Sequence, residues 1–155
     1  MNTSIKVRDM LARKGYGYWA VTPETTAYDA LELLSDKDIG AVLVMAGEKL
    51  TGIFSERDYT RKVILMGKSS RTTTVGDLMT SPAITVGPEL NLYECMVLMN
   101  GNRVRHLPVV ESGKVLGMLS IGDVVNAVIA LQEAMIQQLE GYISGEEYGV
   151  RAGTV

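Results

Sequence analysis

The stretch Gly52-Ile53-Phe54-Ser55-Glu56-Arg57-Asp58 returns 65 residues later as Gly117-Met118-Leu119-Ser120-Ile121-Gly122-Asp123. Residues 20–64 align with residues 85–129 without a gap, and twelve positions are identical, against roughly three expected by chance. In the first copy the identical residues are Val21, Pro23, Glu24, Tyr28, Leu33, Val44, Lys49, Gly52, Ser55, Asp58, Val63 and Ile64. Such a repeat predicts two copies of one supersecondary unit that bury their apolar faces against each other. Any pocket should therefore occur as a near-symmetric pair.

Size and composition favour one folded body. The chain has 155 residues, of which 46% are apolar and 21% charged, as is ordinary for a globular protein. A half of about 65 residues would bury only ~60% of its unfolded surface, so each copy needs the other for stability. We expect the two copies to fold together.

Charge and cysteine usage limit the possible partners. The formal net charge of −3 argues against binding nucleic acid by phosphate neutralisation. Cys95 is the single cysteine, so no intrachain disulfide can form, which fits a reducing compartment. The opening residues carry no apolar signal segment, and no apolar run approaches ~18 residues. We expect a cytoplasmic protein that contacts neither a membrane nor a nucleic acid.

Each copy alternates its hydrophobic period in the same order: strand, helix, strand, strand, helix. In the first copy the predicted elements span residues 18–21, 27–34, 41–45, 50–54 and 55–66, and in the second copy residues 83–86, 92–100, 107–110, 115–119 and 120–139. The fold class is therefore α/β, with two βαββα repeats packed sheet to sheet and helices outside. The apolar residues of the second helix of each copy cannot all face one small core. The predicted division is repeat 1 over residues 7–67, a linker over 68–74, repeat 2 over 75–140 and a flexible tail over 144–155.

A shorter echo precedes each copy. Val7-Arg8-Asp9-Met10-Leu11 resembles Val75-Gly76-Asp77-Leu78-Met79 at a spacing of 68 residues. We expect a short helical turn ahead of each repeat.

The repeated Gly-x-x-Ser-x-x-Asp motif, at the junction of a strand with a helix, has two interpretations. A serine followed three residues later by an acidic residue is close to a capping box that starts the helix. A carboxylate at that junction is also a good bidentate acceptor for the vicinal hydroxyls of a ribose, with the serine hydroxyl beside it. The glycine can mark a place where another backbone comes close. Periodicity alone does not decide between a cap and a ribose site.

The order of elements, the two Gly-x-x-Ser-x-x-Asp motifs and the stretch Arg105-His106-Leu107-Pro108-Val109-Val110 together resemble the cystathionine-β-synthase (CBS) domain. A tandem pair of such domains is called a Bateman module, and the resemblance covers roughly residues 7–140. It implies two clefts between the repeats that bind adenosine-containing ligands such as AMP, ADP, ATP, NAD or S-adenosylmethionine. Within these clefts the ribose hydroxyls would be held by Ser55, Asp58, Ser120 and Asp123. The adenine would be framed by Thr22, Ile39, Gly40, Ala41, Gly87, Val104 and Pro108.

Phosphates need cations, and the copies differ there. The resemblance makes Arg105 and His106 phosphate contacts, whereas their first-copy counterparts are the uncharged Gly40 and Ala41. Conversely, Arg57 lies inside the first motif, where the second copy has a glycine. Each of these basic residues could instead be a solvated surface charge. We hypothesise that one cleft binds a nucleotide tightly and the other weakly or not at all.

Other side chains argue against catalysis. His106 is the single histidine, so a metal site and acid–base catalysis are poorly supplied, and we find no nucleophile–base pair or phosphate loop. We expect Cys95 to be a small buried residue. Trp19 could pack in the core or border an adenine, and we favour the core.

The sequence therefore predicts a regulatory module, not an enzyme. It would be a stand-alone nucleotide sensor with no catalytic cofactor that alters its shape or a regulated protein partner when AMP, ADP, ATP or NAD binds. The alternative is a structural module that dimerises or binds a protein without any nucleotide. Because members of the family pair through their helices, we also expect a homodimer.

Overall fold

The computed structural model describes residues 4–143, so the predicted tail over residues 144–155 lies outside the described part. The first half contains α1 (Val7–Lys14), β1 (Ala20–Val21), α2 (Ala27–Lys37), β2 (Ala41–Ala46), β3 (Lys49–Ser55), α3 (Glu56–Tyr59) and a π-helical segment (Thr60–Ile64). The second half contains α4 (Val75–Leu78), α5 (Leu92–Asn102), β4 (His106–Glu111), β5 (Lys114–Ser120) and α6 (Ile121–Ile143).

The two hairpins form as predicted. Strands β2 and β3 pair antiparallel, as do β4 and β5, and each ladder shifts register at the same place, after Val44 in one copy and after Val109 in the other. Gly47 has a positive φ of 63° in the first turn, and Gly113 has one of 78° in the second. Such backbone angles suit tight hairpin turns whose twist matches that of the strands.

The first strand of each copy is shorter than predicted. Strand β1 covers Ala20–Val21, which pairs parallel with β2. In the second copy the predicted strand over residues 83–86 shrinks to Val86, whose N–H donates to Pro108 O at 3.0 Å and whose carbonyl accepts from Val110 N at 2.9 Å. The prediction of a full strand there is wrong because only one residue lies within reach of β4.

The second helix of the first copy also differs from prediction. Its α-helical part ends at Tyr59, and the chain continues as a π-helical segment whose hydrogen bond runs from Leu65 N to Thr60 O at 3.2 Å. Within this segment Val63 is buried, whereas Ile64 is 57% exposed. As predicted, the apolar residues of this helix do not all face one core.

The short lead-in helices exchange between the copies. Residues Val7, Met10 and Leu11 of α1 lie in the hydrophobic cluster of the second copy, beside Leu107 and Leu119. Helix α4, which precedes the second copy, packs instead against the core of the first copy. Its Val75 and Leu78 lie in the first-copy cluster with Phe54. Each repeat therefore completes its core with the helix that precedes the other repeat, so the predicted boundaries divide the sequence but not the packed cores.

Backbone hydrogen bonds fasten the exchanged helices in a matching way. Val75 N donates to Thr25 O at 2.7 Å, and Val7 N donates to Leu90 O at 2.8 Å, at corresponding positions of the two copies. The repeated glycines make room for the lead-in segments. A Cβ on Gly52 would lie 2.7 Å from Thr80 O, and one on Gly117 would lie 3.3 Å from Gly17 O. The interpretation of these glycines as places of close backbone approach is confirmed.

Both faces of β2 are buried. Val42 and Val44 face the helices in the first-copy cluster, while Ala41, Leu43 and Met45, which alternate with them, are also buried. Side chains alternate across a strand, so this strand is covered on both of its faces. The expected α/β class, with sheets inward and helices outward, is confirmed. Among residues 4–143 no helix is long and apolar enough to span a membrane.

Candidate functional site

The Ser-x-x-Asp motif forms the same capping box in both copies. In the first, Ser55 Oγ accepts from Asp58 N at 3.2 Å, and Asp58 Oδ2 accepts from Ser55 N at 3.0 Å. In the second, the corresponding distances between Ser120 and Asp123 are 3.2 and 2.7 Å. These bonds satisfy amide groups that a helix start leaves unpaired. The capping interpretation is therefore confirmed for both copies, and the further role of each carboxylate depends on its second oxygen.

The carboxylate of Asp58 has partners on both oxygens. Oδ2 accepts from the amide and the hydroxyl of Ser55, and Oδ1 lies 3.1 Å from both Thr80 Oγ1 and Lys62 Nζ. Its side chain is only 11% exposed. A carboxylate has about four lone-pair positions, and here each has a protein donor.

The carboxylate of Asp123 is crowded on one oxygen alone. Oδ2 accepts from Ser120 N at 2.7 Å, from Ser120 Oγ at 3.0 Å and from Lys14 Nζ at 2.8 Å. Among residues 4–143 no donor is recorded on Oδ1, and the side chain is 21% exposed. This carboxylate can therefore accept a further hydroxyl on Oδ1.

Burial by itself would raise the pKa of the Asp123 carboxyl. The hydrogen bond and positive charge of Lys14, together with the bonds from Ser120, outweigh that effect and hold the pKa below its usual value of 3.8. The carboxylate is therefore ionised at neutral pH and available as an acceptor.

A cavity of about 500 Å³ opens between the two copies beside this carboxylate, within the size range of small-molecule sites. It takes residues from the first lead-in, from the start of β2 and from both strands of the second hairpin. Its lining consists of Lys14, Gly15, Tyr16, Gly17, Tyr18, Trp19, Asp38, Ile39, Gly40, Ala41, His106, Met118 and Ser120. Lys14 lines the cavity, and its ammonium donates a hydrogen bond to Asp123.

Three aromatic residues line the cavity. Tyr16, Tyr18 and Trp19 are all exposed, and Trp19 is 49% exposed instead of packing in the core. The Lys37 ammonium lies 4.3 Å from the centroid of the Trp19 ring, in a cation–π contact. The expectation of a core Trp19 is wrong, because β1 begins only at Ala20. Exposed aromatic faces beside a polar cleft suit a planar base.

His106 contributes a neutral imidazole to the same cavity. Burial lowers its pKa from 6.5, as do the charges of Lys14 and Arg105, while Asp123 opposes the shift. The ring also lies close to the start of β2, since a Cβ on Gly40 would be 3.4 Å from its Cε1. At neutral pH this residue therefore offers a hydrogen-bond donor and an acceptor, not a positive charge.

The structure brings some of the sequence-predicted site residues together and separates others. Ile39, Gly40, Ala41, His106 and Ser120 line the cavity. Arg57, Val104 and Arg105 instead line a groove on the helical side. Thr22 lies in the β1–α2 turn, where its N–H donates to Thr25 Oγ1, while Gly87 is exposed and Pro108 is buried within β4.

The two arginines proposed as phosphate contacts face this groove, which has a volume of about 830 Å³. Arg57 is engaged there with the second copy, because its guanidinium donates to Arg103 O at 3.0 Å. Neither arginine lines the cavity beside Asp123.

Sequence reasoning missed Lys14, Tyr16 and Tyr18. The run Gly15-Tyr16-Gly17-Tyr18 alternates glycine with tyrosine, and this pattern of exposed aromatics was a usable signal. No comparable signal marked Lys14, because its partner Asp123 is 109 residues away and meets it only through the exchange of α1.

Other chemistry is limited in the part of the chain that the structure describes. Residues 4–143 contain no group of three or more metal-ligating side chains. Cys95 is buried as expected, and its burial raises the pKa of the thiol to about 11, so the reactive thiolate is scarce at neutral pH.

Comparison with known proteins identifies the family. The CBS domain family matches residues 7–64 and 75–130. The mitochondrial CBS domain-containing protein CBSX3 of Arabidopsis thaliana is 43% identical over 151 residues, covering 92% of this chain and 73% of that protein.

Two solved structures show the same fold. A putative signal-transduction protein with CBS domains from Burkholderia ambifaria is 44% identical with a TM-score of 0.78, covering 81% of this chain and 94% of that one. CBSX2 in complex with AMP is 30% identical with a TM-score of 0.68, covering 83% of this chain and 98% of that one. The chain thus belongs to the CBS domain family and carries two CBS domains in tandem.

Proposed function

We propose that this chain is a regulatory module that binds an adenosine nucleotide without catalysis. The observation that carries the proposal is the cavity between the copies, which is lined by Ser120, Lys14 and three aromatic residues. Ser120 and Lys14 both bond to the ionised Asp123. A carboxylate suits ribose hydroxyls, an ammonium suits phosphate, and an aromatic face suits adenine. The AMP complex of the relative CBSX2 supports the same ligand class.

The ligand we favour is AMP, ADP, ATP or NAD, with S-adenosylmethionine as the alternative. Asp123 and Ser120 would hold the ribose, while Ile39, Gly40 and Ala41 would border the base. We propose that the cleft of the first copy, near Ser55 and Asp58, binds nucleotide weakly. The support is that both oxygens of the Asp58 carboxylate already have protein donors.

Thermal unfolding with and without ligand tests the proposal. A ligand at 100 times its Kd stabilises the folded state by about 2.7 kcal/mol, which raises the Tm of a domain of this size by several degrees. Millimolar AMP, ATP, NAD and S-adenosylmethionine should each be compared with an equal concentration of sodium phosphate and ribose. No rise in Tm with any adenosine compound would favour the alternative, a structural module that binds a protein partner.

We also propose a homodimer through the helices. The groove on the helical side has an apolar floor that includes Met96, Val97, Val125 and Ile129, all substantially exposed. Exposed apolar side chains grouped in this way mark association surfaces. Val125→Glu should dissociate the dimer in analytical ultracentrifugation. Asn126→Glu, one residue further along α6 and outside the groove lining, should leave it intact.

The regulated partner would be a separate protein that reads the ligand-dependent shape of the module. Cytoplasmic location stays a prediction, since the name of the relative CBSX3 places that protein in mitochondria.

A further inference from the structure

Lys14 occupies the acceptor that a ribose would need. Its ammonium donates to Asp123 Oδ2 at 2.8 Å and to Met118 O at 2.6 Å, at the edge of the cavity. Oδ2 also accepts two bonds from Ser120, whereas Oδ1 has no recorded donor among residues 4–143. A vicinal diol that bonds to both carboxylate oxygens must therefore displace Lys14, because Oδ2 has no room for a fourth donor.

A displaced lysine needs another anion. Its side chain is a flexible four-carbon stem with a compact charge, so it can turn into the cavity without moving α1, whose Leu11 is anchored in the second-copy core. Lys14 is also the one lysine or arginine that lines this cavity within the described residues, and the His106 imidazole beside it is held neutral. A ligand phosphate would satisfy the released ammonium, in competition with Asp38, the carboxylate that lines the same cavity.

We infer that Lys14 determines the specificity of this cleft: it leaves Asp123 for a ligand phosphate, so the cleft prefers phosphate-bearing nucleosides to nucleosides without an anionic group. The inference rests on the proposed function and narrows it to AMP, ADP, ATP or NAD over adenosine. A neutral nucleoside takes the place of Lys14 on Asp123 and offers no new partner. A phosphate replaces the lost ion pair with another.

Calorimetric titration of AMP and adenosine into the wild type and Lys14→Met tests the inference. The wild type should bind AMP roughly 10- to 100-fold more tightly than adenosine, since a hydrogen bond to a charged group contributes that much. Lys14→Met removes the pair with Asp123 as well as the pair with the phosphate, so it should tighten adenosine binding by a similar factor and change AMP binding little. The ratio of the AMP affinity to the adenosine affinity then approaches one.

Three further measurements keep the test decisive. Lys14→Arg, which retains the charge, should preserve the ratio, and Lys114→Met, at the exposed first residue of β5 and outside the cavity lining, should leave it at the wild-type value. Circular dichroism should show all variants folded. If Lys14→Met changes AMP and adenosine affinity by the same factor, Lys14 merely blocks the cleft, and the inference fails while the proposed function stands. If the wild type binds no adenosine compound, both fail.

Discussion

The two copies carry the same Ser-x-x-Asp box but meet it with different partners. In the first copy, Thr80 and Lys62 contact Asp58 Oδ1, the carboxylate oxygen that does not bond to Ser55. In the second copy Lys14 shares the crowded oxygen of Asp123 and the other oxygen has no recorded donor in the described residues. The carboxylates are equivalent in sequence and in their capping bonds, yet one is saturated with protein donors and the other pairs with Lys14, which lines a cavity.

The difference comes from the exchanged lead-in segments. Thr80 follows α4 and reaches the first copy, and Lys14 ends α1 and reaches the second. The first lead-in is longer than the second, with eight residues in α1 against four in α4. The glycine–tyrosine run that follows α1 lines the cavity beside Asp123. The two copies of the motif thus have different surroundings because the lead-in segments beside them differ in length and in the residues that follow their helices.

The largest expected effect comes from breaking the exchange itself. Leu11→Ala and Leu78→Ala each empty a fully buried leucine position in a lead-in helix. Each should lower the free energy of unfolding by about 2–5 kcal/mol, through lost burial and the cavity left behind. Urea unfolding followed by circular dichroism and by Trp19 fluorescence should still give one transition, because each core contains a helix from the other repeat's lead-in.

The exposed Leu65 provides the control, since Leu65→Ala should change stability by no more than about 0.5 kcal/mol. Two separate transitions in Leu11→Ala, with only one of them shifted, would show that the copies unfold independently.

A smaller effect separates the two carboxylates. Asp123→Asn should weaken AMP binding roughly 10- to 100-fold, because it removes a charged acceptor from the open cleft. Asp58→Asn should weaken AMP binding less than about threefold, because the lone pairs of the Asp58 carboxylate already accept bonds from protein donors. Calorimetry on both variants measures the difference. An equal loss of AMP affinity in the two variants would contradict the proposal that the cleft near Asp58 binds nucleotide more weakly than the cleft beside Asp123.

The smallest effect concerns His106, whose counterpart in the first copy is Ala41. Its folded-state pKa lies below the unfolded value of 6.5, so the unfolded chain binds more protons between those two values. The contribution of the neutral imidazole to the free energy of unfolding should therefore be fully present above pH 6.5. It should fall as the pH drops through this window, by at most about 1.4 kcal/mol per pH unit for one proton. His106→Gln should flatten the dependence in urea unfolding between about pH 5 and pH 7.5. A wild type and variant that lose equal stability would show that other groups titrate there.

Much of the fold could be read from local signals. Alternating apolar residues and turn glycines predicted both hairpins, and helical spacing predicted α2 and α5 to within a few residues. Local patterns failed where hydrogen bonding across the chain decides, as with the strand over residues 83–86, which keeps only the bridge at Val86. They failed again at Trp19, whose apolar ring suggested the core although the residue precedes β1 and is 49% exposed.

The candidate site was less predictable than the fold. Ser120 and Asp123 were marked by the repeat, and His106 by the family resemblance, but Arg57 and Arg105 lie on the helical side. Whether a surface cation points into a cleft depends on the packing of elements distant in sequence, which neither composition nor periodicity encodes.

By itself the sequence determined the duplication, the family and the capping boxes, because each depends on residues a few positions apart or on the 65-residue repeat. Only the tertiary structure decided which carboxylate stays open. That outcome depends on Lys14 and Thr80, which reach Asp123 and Asp58 through the exchange of the lead-in segments. Contacts between residues 109 and 22 positions apart follow from packing two cores at once, and no local pattern records them.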